Sequence, residues 1–199
     1  MRPELSRRLS KAGATVEEVQ RIVDFCKYPD DPRTVLVRGL LAMIVQHHRS
    51  ILLLIKRGIV HSAYALARDV IRGTRYGLWI NACATSGQIL SIHEEDYSAL
   101  SIPEMNKEVE AAYQRDPFFA ELKGRWAAKV DRYSREIIVR VGQFYINPES
   151  GLEQEDEEVE DVVTIATLCI VLLASKFLAT QKHAVESKQV EVLAAAYSS

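Results

Sequence analysis

The apolar positions along the chain recur in steps of three and four, the spacing of one face of an α-helix, and no stretch alternates in the manner of a strand. Val16, Val19, Ile22, Val23 and Cys26 form a first stripe, behind a capping-box spelling at Thr15-Val16-Glu17-Glu18 that predicts a helix start. Tyr28-Pro29-Asp30-Asp31-Pro32 is a turn, with Asp31 placed to N-cap a second helix and Pro32 at its first position. That helix runs to Arg57 and stops at Gly58; its apolar arc (Leu36, Leu40, Leu41, Ile44, Val45, Ile51, Leu52, Ile55) is broad enough to predict burial on most sides. A third helix, from Val60 to Ala84, follows so closely that the two must form an antiparallel hairpin. Gly73 and Gly77 on it predict close approach of a partner backbone.

Beyond the hairpin the pattern loosens. Gly87 to Pro103 is irregular with a short helix near Ile92, and Ser101-Ile102-Pro103-Glu104 starts another helix that ends around Asp116-Pro117. The stripe Phe119, Leu122, Trp126, Val130, Tyr133, Ile137, Val141 and Phe144 predicts a long amphipathic helix from Phe118 to Ile146. The acidic run Glu153–Asp161 suits the positive end of the next helix dipole, and that helix turns apolar through Leu178. Val190, Val192 and Leu193 mark a closing helix. The expectation is an all-α bundle of about six or seven helices built around the Asp31–Ala84 hairpin, which is sheathed by the Phe118–Ile146 and Val159–Leu178 helices. One helical domain covers residues 1–199.

Composition narrows the classes. At 199 residues, 48% hydrophobic and 26% charged, the chain can bury a core of its own, and a net charge of −2 argues against a protein that coats nucleic acid. Cys26, Cys83 and Cys169 are odd in number and far apart, so they predict reduced core thiols rather than a disulfide framework. The charged opening Met1-Arg2-Pro3-Glu4 has no apolar run behind it, and the expected location is the cytoplasm. Val162–Ala174 is apolar apart from two threonines but short for a membrane span, and Ser175 and Lys176 interrupt it; a buried core helix is expected, with no membrane contact. No metal or cofactor motif is spelled, and no cysteine–histidine pair is evident; His93-Glu94-Glu95-Asp96 lacks the helical two-histidine spacing of a zinc protease.

The chemistry that remains lies on the hairpin. His47 and His48 interrupt the apolar arc of the second helix and point in different directions. Pairing the helices about the Gly58 turn brings His48 level with Asp69, beside Arg68 and Arg72. That constellation fits either general acid–base work, with His48, His47 and Asp69 as candidates, or a buried polar network that fixes register. Arg68, Arg72, Arg75 and Trp79 share one face of the third helix, with His61 on the same line. Three guanidinium groups beside an indole suit phosphate, a carboxylate ligand or single-stranded nucleic acid, unless the acidic run Glu153–Asp161 neutralises them.

Gly58, Ser62, Ala63, Ala65, Leu66, Ala67, Arg68, Gly77, Leu78 and Trp79 resemble a group of uncharacterised bacterial helical proteins. Those share a glycine turn, a helix reading S-A-x-A-L-x-R-x-x-x-E, and an aromatic near G-L-W. Arg72 stands where that group carries a glutamate, and its later His-Gly pair is absent, with Arg140-Val141-Gly142 near that place; the resemblance therefore implies a lost or altered site. Some members look distantly similar to helical proteins of phage defence and toxin–antitoxin systems. Arg57 and His61 echo the Arg–His signature of the helical HEPN ribonucleases, one residue too close together and at the turn. The expectation is a non-enzymatic interaction or regulatory module in a bacterial or phage conflict system, acting on a protein partner or on itself. An HEPN-like RNA-cleaving or phosphate-handling enzyme and a sensor of a small anionic ligand are the alternatives, and nucleic acid is the less favoured partner.

Overall fold

The computed structural model describes residues 2–93, 102–124 and 156–198, and every regular element among them is helical. In chain order these are α1 (Pro3–Phe25), α2 (Pro32–Lys56), α3 (Val60–Ala82), α4 (Ser86–His93) and α5 (Ile102–Tyr113), then α6, which begins at 117 and is described as far as 124, α7 (Asp156–Thr180) and α8 (Ala184–Ser198). The all-α expectation holds. The remainder of the helix expected over Phe118–Ile146 lies outside the described residues, as do Glu94–Glu95–Asp96 and the acidic residues Glu153 and Glu155.

The hairpin forms as its punctuation requires. The Asp31 carboxylate accepts from the Thr34 backbone N–H at 3.1 Å and from its hydroxyl at 2.6 Å, with Pro32 opening α2. At the other end Gly58 takes φ +74°. Its N–H donates to Ile55 O at 3.0 Å and that of Ile59 donates to Leu54 O at 2.8 Å, the paired bonds of a Schellman stop. Arg33 at the start of α2 reaches the far end of α3 and donates to the carbonyls of Ile80 and Ala84, which have no helical partner of their own. The hairpin is thereby fastened at both ends, and α2 with α3 makes the most extensive helix pair among the described residues.

Several boundaries differ from the expectation. α1 begins at Pro3, and Thr15 is buried inside it: Leu5, Leu9 and Ala12 extend the Val16–Val23 stripe backwards at the same spacing, so the Thr15–Glu18 box caps nothing. The short helix expected near Ile92 is α4, and it starts as early as Ser86 because Thr85 and Gln88 cap it reciprocally (Thr85 N to Gln88 Oε1 2.8 Å, Gln88 N to Thr85 Oγ1 3.3 Å). Cys26 and Cys83 are half-buried helix caps, and Cys169 alone of the three thiols is a core residue. Gly73 and Gly77 admit side chains of two different helices rather than one partner backbone. A Cβ on Gly73 would lie 2.6 Å from Ile44 of α2, and one on Gly77 would lie 2.6 Å from Leu173 of α7.

α7 is more than a sheath. It packs on α1, α2, α3 and α8, and all residues from Val162 to Ser175 are buried. Its Glu157–Thr180 stretch is long and apolar enough to cross a membrane, yet 89% of its most apolar window is covered by the bundle itself. It is the core helix on which α1, α2, α3 and α8 close.

Candidate functional site

Local geometry disperses the expected seam. His48 is wholly buried, and its Nε2 lies 2.9 Å from Thr167 Oγ1 of α7. The Thr167 hydroxyl donates to Val163 O at 2.8 Å, so it can only accept from the ring. His48 is therefore the Nε2–H tautomer, and its buried Nδ1 lone pair has no partner among the described residues. Burial, with a smaller push from the Arg49 charge, takes the ring's pKa down from 6.5 to about 4, so it is neutral and weakly basic at physiological pH. Asp69, expected beside it, is exposed to solvent, and so are Arg68 and Arg72. His47 is half-buried. An acid–base pair of His48 with Asp69 is not assembled: the His48 ring is turned into the core and Asp69 into solvent.

The arginine stripe does share one face of α3, as its spacing requires, but the face has two environments. Arg68 and Arg72, one turn apart, are exposed, and among the described residues neither makes an ion pair or hydrogen bond. Arg75 is half-buried; burial lowers its pKa, while Cys169 and the Glu110 charge pull the other way. Trp79 is 0% exposed, and its indole N–H donates to the Glu108 carboxylate of α5 at 2.6 Å. An indole so enclosed offers no surface on which a base could stack. Of the acidic run, Glu160 lies 4.0 Å from Arg8 on α1. Arg57 caps the end of α2 and His61 sits in the first turn of α3, where its ring meets Tyr64 edge-on at 6.5 Å.

Two clefts were not legible from the spacing. One, of about 360 Å³, runs between α1 and α2, with Ser10, Gly13 and Glu17 on one wall, Leu52 and Lys56 on the other, and His48 among its lining residues. The other, of about 480 Å³, lies where α6 begins beside α7 and α8. There Lys176, whose side chain is 12% exposed, meets Asp116 at 2.5 Å and Glu191 at 3.6 Å, and Ser175 donates to Glu191 at 3.2 Å. The signal for this cluster was the lysine interrupting an otherwise apolar helix, which only a carboxylate pair makes tolerable. Neither Arg68 nor Arg72 lines either cleft.

No family model, curated protein or solved structure matches the chain.

Proposed function

We propose that the chain is a non-enzymatic interaction module that recognises an acidic segment of a protein partner through the open Arg68–Arg72 half of α3. The observation that carries this reading is the contrast in accessibility. The two arginines stand exposed on a helix anchored on α2, α5 and α7, with no ion pair among the described residues, while the His48 side chain is wholly buried and bonded to Thr167. Guanidinium groups one turn apart on a rigid helix match carboxylates at the same spacing, and each can take one bidentately. The resemblance of the Gly58–Trp79 segment supplies the setting, a bacterial or phage conflict or regulatory system.

The test is copurification from the native host with wild-type protein and with the Arg68→Glu/Arg72→Glu double variant. A protein that accompanies the wild type and is lost from the charge-reversed variant supports the reading. Retention of every partner by the variant overturns it. RNA cleavage by purified protein that disappears in His48→Ala would put the nuclease in its place, and a small anion seen in native mass spectra and lost with Arg68→Ala would favour the sensor.

A further inference from the structure

The α7–α8 turn carries a cluster that neither the arginine face nor the clefts involve. α7 ends in the same paired bonds as α2: Lys182 N–H donates to Ala179 O at 3.1 Å and His183 N–H to Leu178 O at 2.9 Å. The residue that must be left-handed is here Lys182, at φ 66°, instead of glycine. This turn delivers His183 to the end of α1. There the His183 ring stands edge-on to Tyr28 at 5.5 Å, and its Nε2 meets the Lys27 carbonyl at 3.0 Å. Glu186, one turn along in α8, faces the other nitrogen, with its carboxylate oxygen 3.9 Å from Nδ1. Cys26, the residue that caps α1, completes the group. One ligand-type atom from each of Cys26, His183 and Glu186 lies within 4.8 Å of the other two.

The hydrogen bond to Lys27 decides what the ring can offer. A carbonyl only accepts, so Nε2 carries the proton, and in the neutral ring Nδ1 is a lone pair turned toward a carboxylate that is itself only an acceptor. Two acceptors facing each other can share a cation, either a proton on the ring or a metal ion between them. A backbone carbonyl on the remote ring N–H is the usual outer support of a metal-bound histidine: it fixes the tautomer and the ring plane. The third group is a sulfur. Thiolate, imidazole and carboxylate together select a borderline-soft ion over calcium or magnesium, which take oxygen ligands. All three residues are partly exposed, which gives an ion a way in and leaves room for water as a fourth ligand.

We propose that Cys26, His183 and Glu186 form a zinc site, with the Cys26 sulfur, the His183 Nδ1 and one Glu186 oxygen as ligands and a water in the fourth position. Binding expels the Cys26 thiol proton to solvent and draws the three side chains in to ordinary zinc–ligand distances of about 2.0–2.3 Å. The ion joins the end of α1 to the α7–α8 turn, segments from opposite ends of the chain that otherwise meet here through Tyr28 and the Lys27 carbonyl. This reading stands apart from the arginine face and does not depend on it.

The test uses full-length protein stripped with a chelator and titrated with Co²⁺, then with Zn²⁺ in competition. The expected result is one cobalt ion per chain with a sulfur-to-cobalt charge-transfer absorption, displaced by zinc. Cys26→Ser abolishes the absorption, and His183→Gln weakens binding at least about tenfold. A readout that needs no variant is the thermal midpoint of the wild type, which rises with added zinc and falls back with chelator. No charge-transfer absorption in the folded wild type overturns the site, as does cobalt binding that survives both substitutions unchanged.

Discussion

The two halves of the outer face of α3 have the same sequence character and opposite fates. Arg68 and Arg72 come first along the stripe, in solvent, and Arg75 and Trp79 follow, increasingly enclosed until the indole is fully covered and bonded to Glu108. Helical spacing puts all four on one stripe. What separates them is α5, whose Met105 and Val109 are buried and whose Glu108 closes over Trp79. A stripe on one helix is therefore not yet a surface: the neighbouring helix decides which part binds outward and which part holds the fold.

The largest effect that would break this comparison is on the covered half. Trp79→Ala removes a fully buried indole and should cost about 3–5 kcal/mol of unfolding free energy, measured by urea denaturation. A loss under about 1 kcal/mol would mean that α5 does not cover it.

The buried histidine comes next. Its pKa is about 4 in the folded chain, against 6.5 when exposed, so folding favours the neutral ring. That contribution is complete above pH 6.5, declines as pH falls from there toward 4, and is gone below 4. Its size is on the order of 3 kcal/mol. His48→Gln should flatten the difference in unfolding free energy between pH 7 and pH 4.5 relative to the wild type. An unchanged pH dependence would place His48 in contact with solvent and reopen the acid–base reading.

Glu108→Ala sharpens the boundary between the halves. It leaves the indole N–H without its acceptor at a cost of about 1 kcal/mol, read from the same denaturation curves. The smallest effect belongs to the open half: Arg68→Ala and Arg72→Ala should each change stability by no more than about 0.5 kcal/mol. A larger loss from either would show that the arginine holds the fold rather than a partner.

The hairpin was legible because its punctuation is local. Asp31-Pro32 and Gly58 each do what their own chemistry dictates, and the structure uses both as written. The α7–α8 stop repeats the Gly58 hydrogen bonds with a lysine in the left-handed position, and no residue type announces it. The start of α4 was spelled by Thr85 and Gln88, a threonine–glutamine pair in the role that Thr15–Glu18 only mimics inside a longer stripe. Tertiary placement was the illegible part. Level in a hairpin set His48 beside Asp69, but the direction of each side chain depends on what packs behind it, and Thr167 of α7 lies far along the chain. The joining of Cys26 to His183 was hidden for the same reason: α1 and the α7–α8 turn meet only once the bundle closes.

The most direct test of the central claim is arginine labelling with a dicarbonyl reagent, mapped by mass spectrometry in the free protein and in its partner complex. The account predicts that Arg68 and Arg72 react readily in the free protein and become protected in the complex, while Arg75 reacts slowly in both. Equal labelling of Arg68 and Arg72 with and without the partner would contradict it.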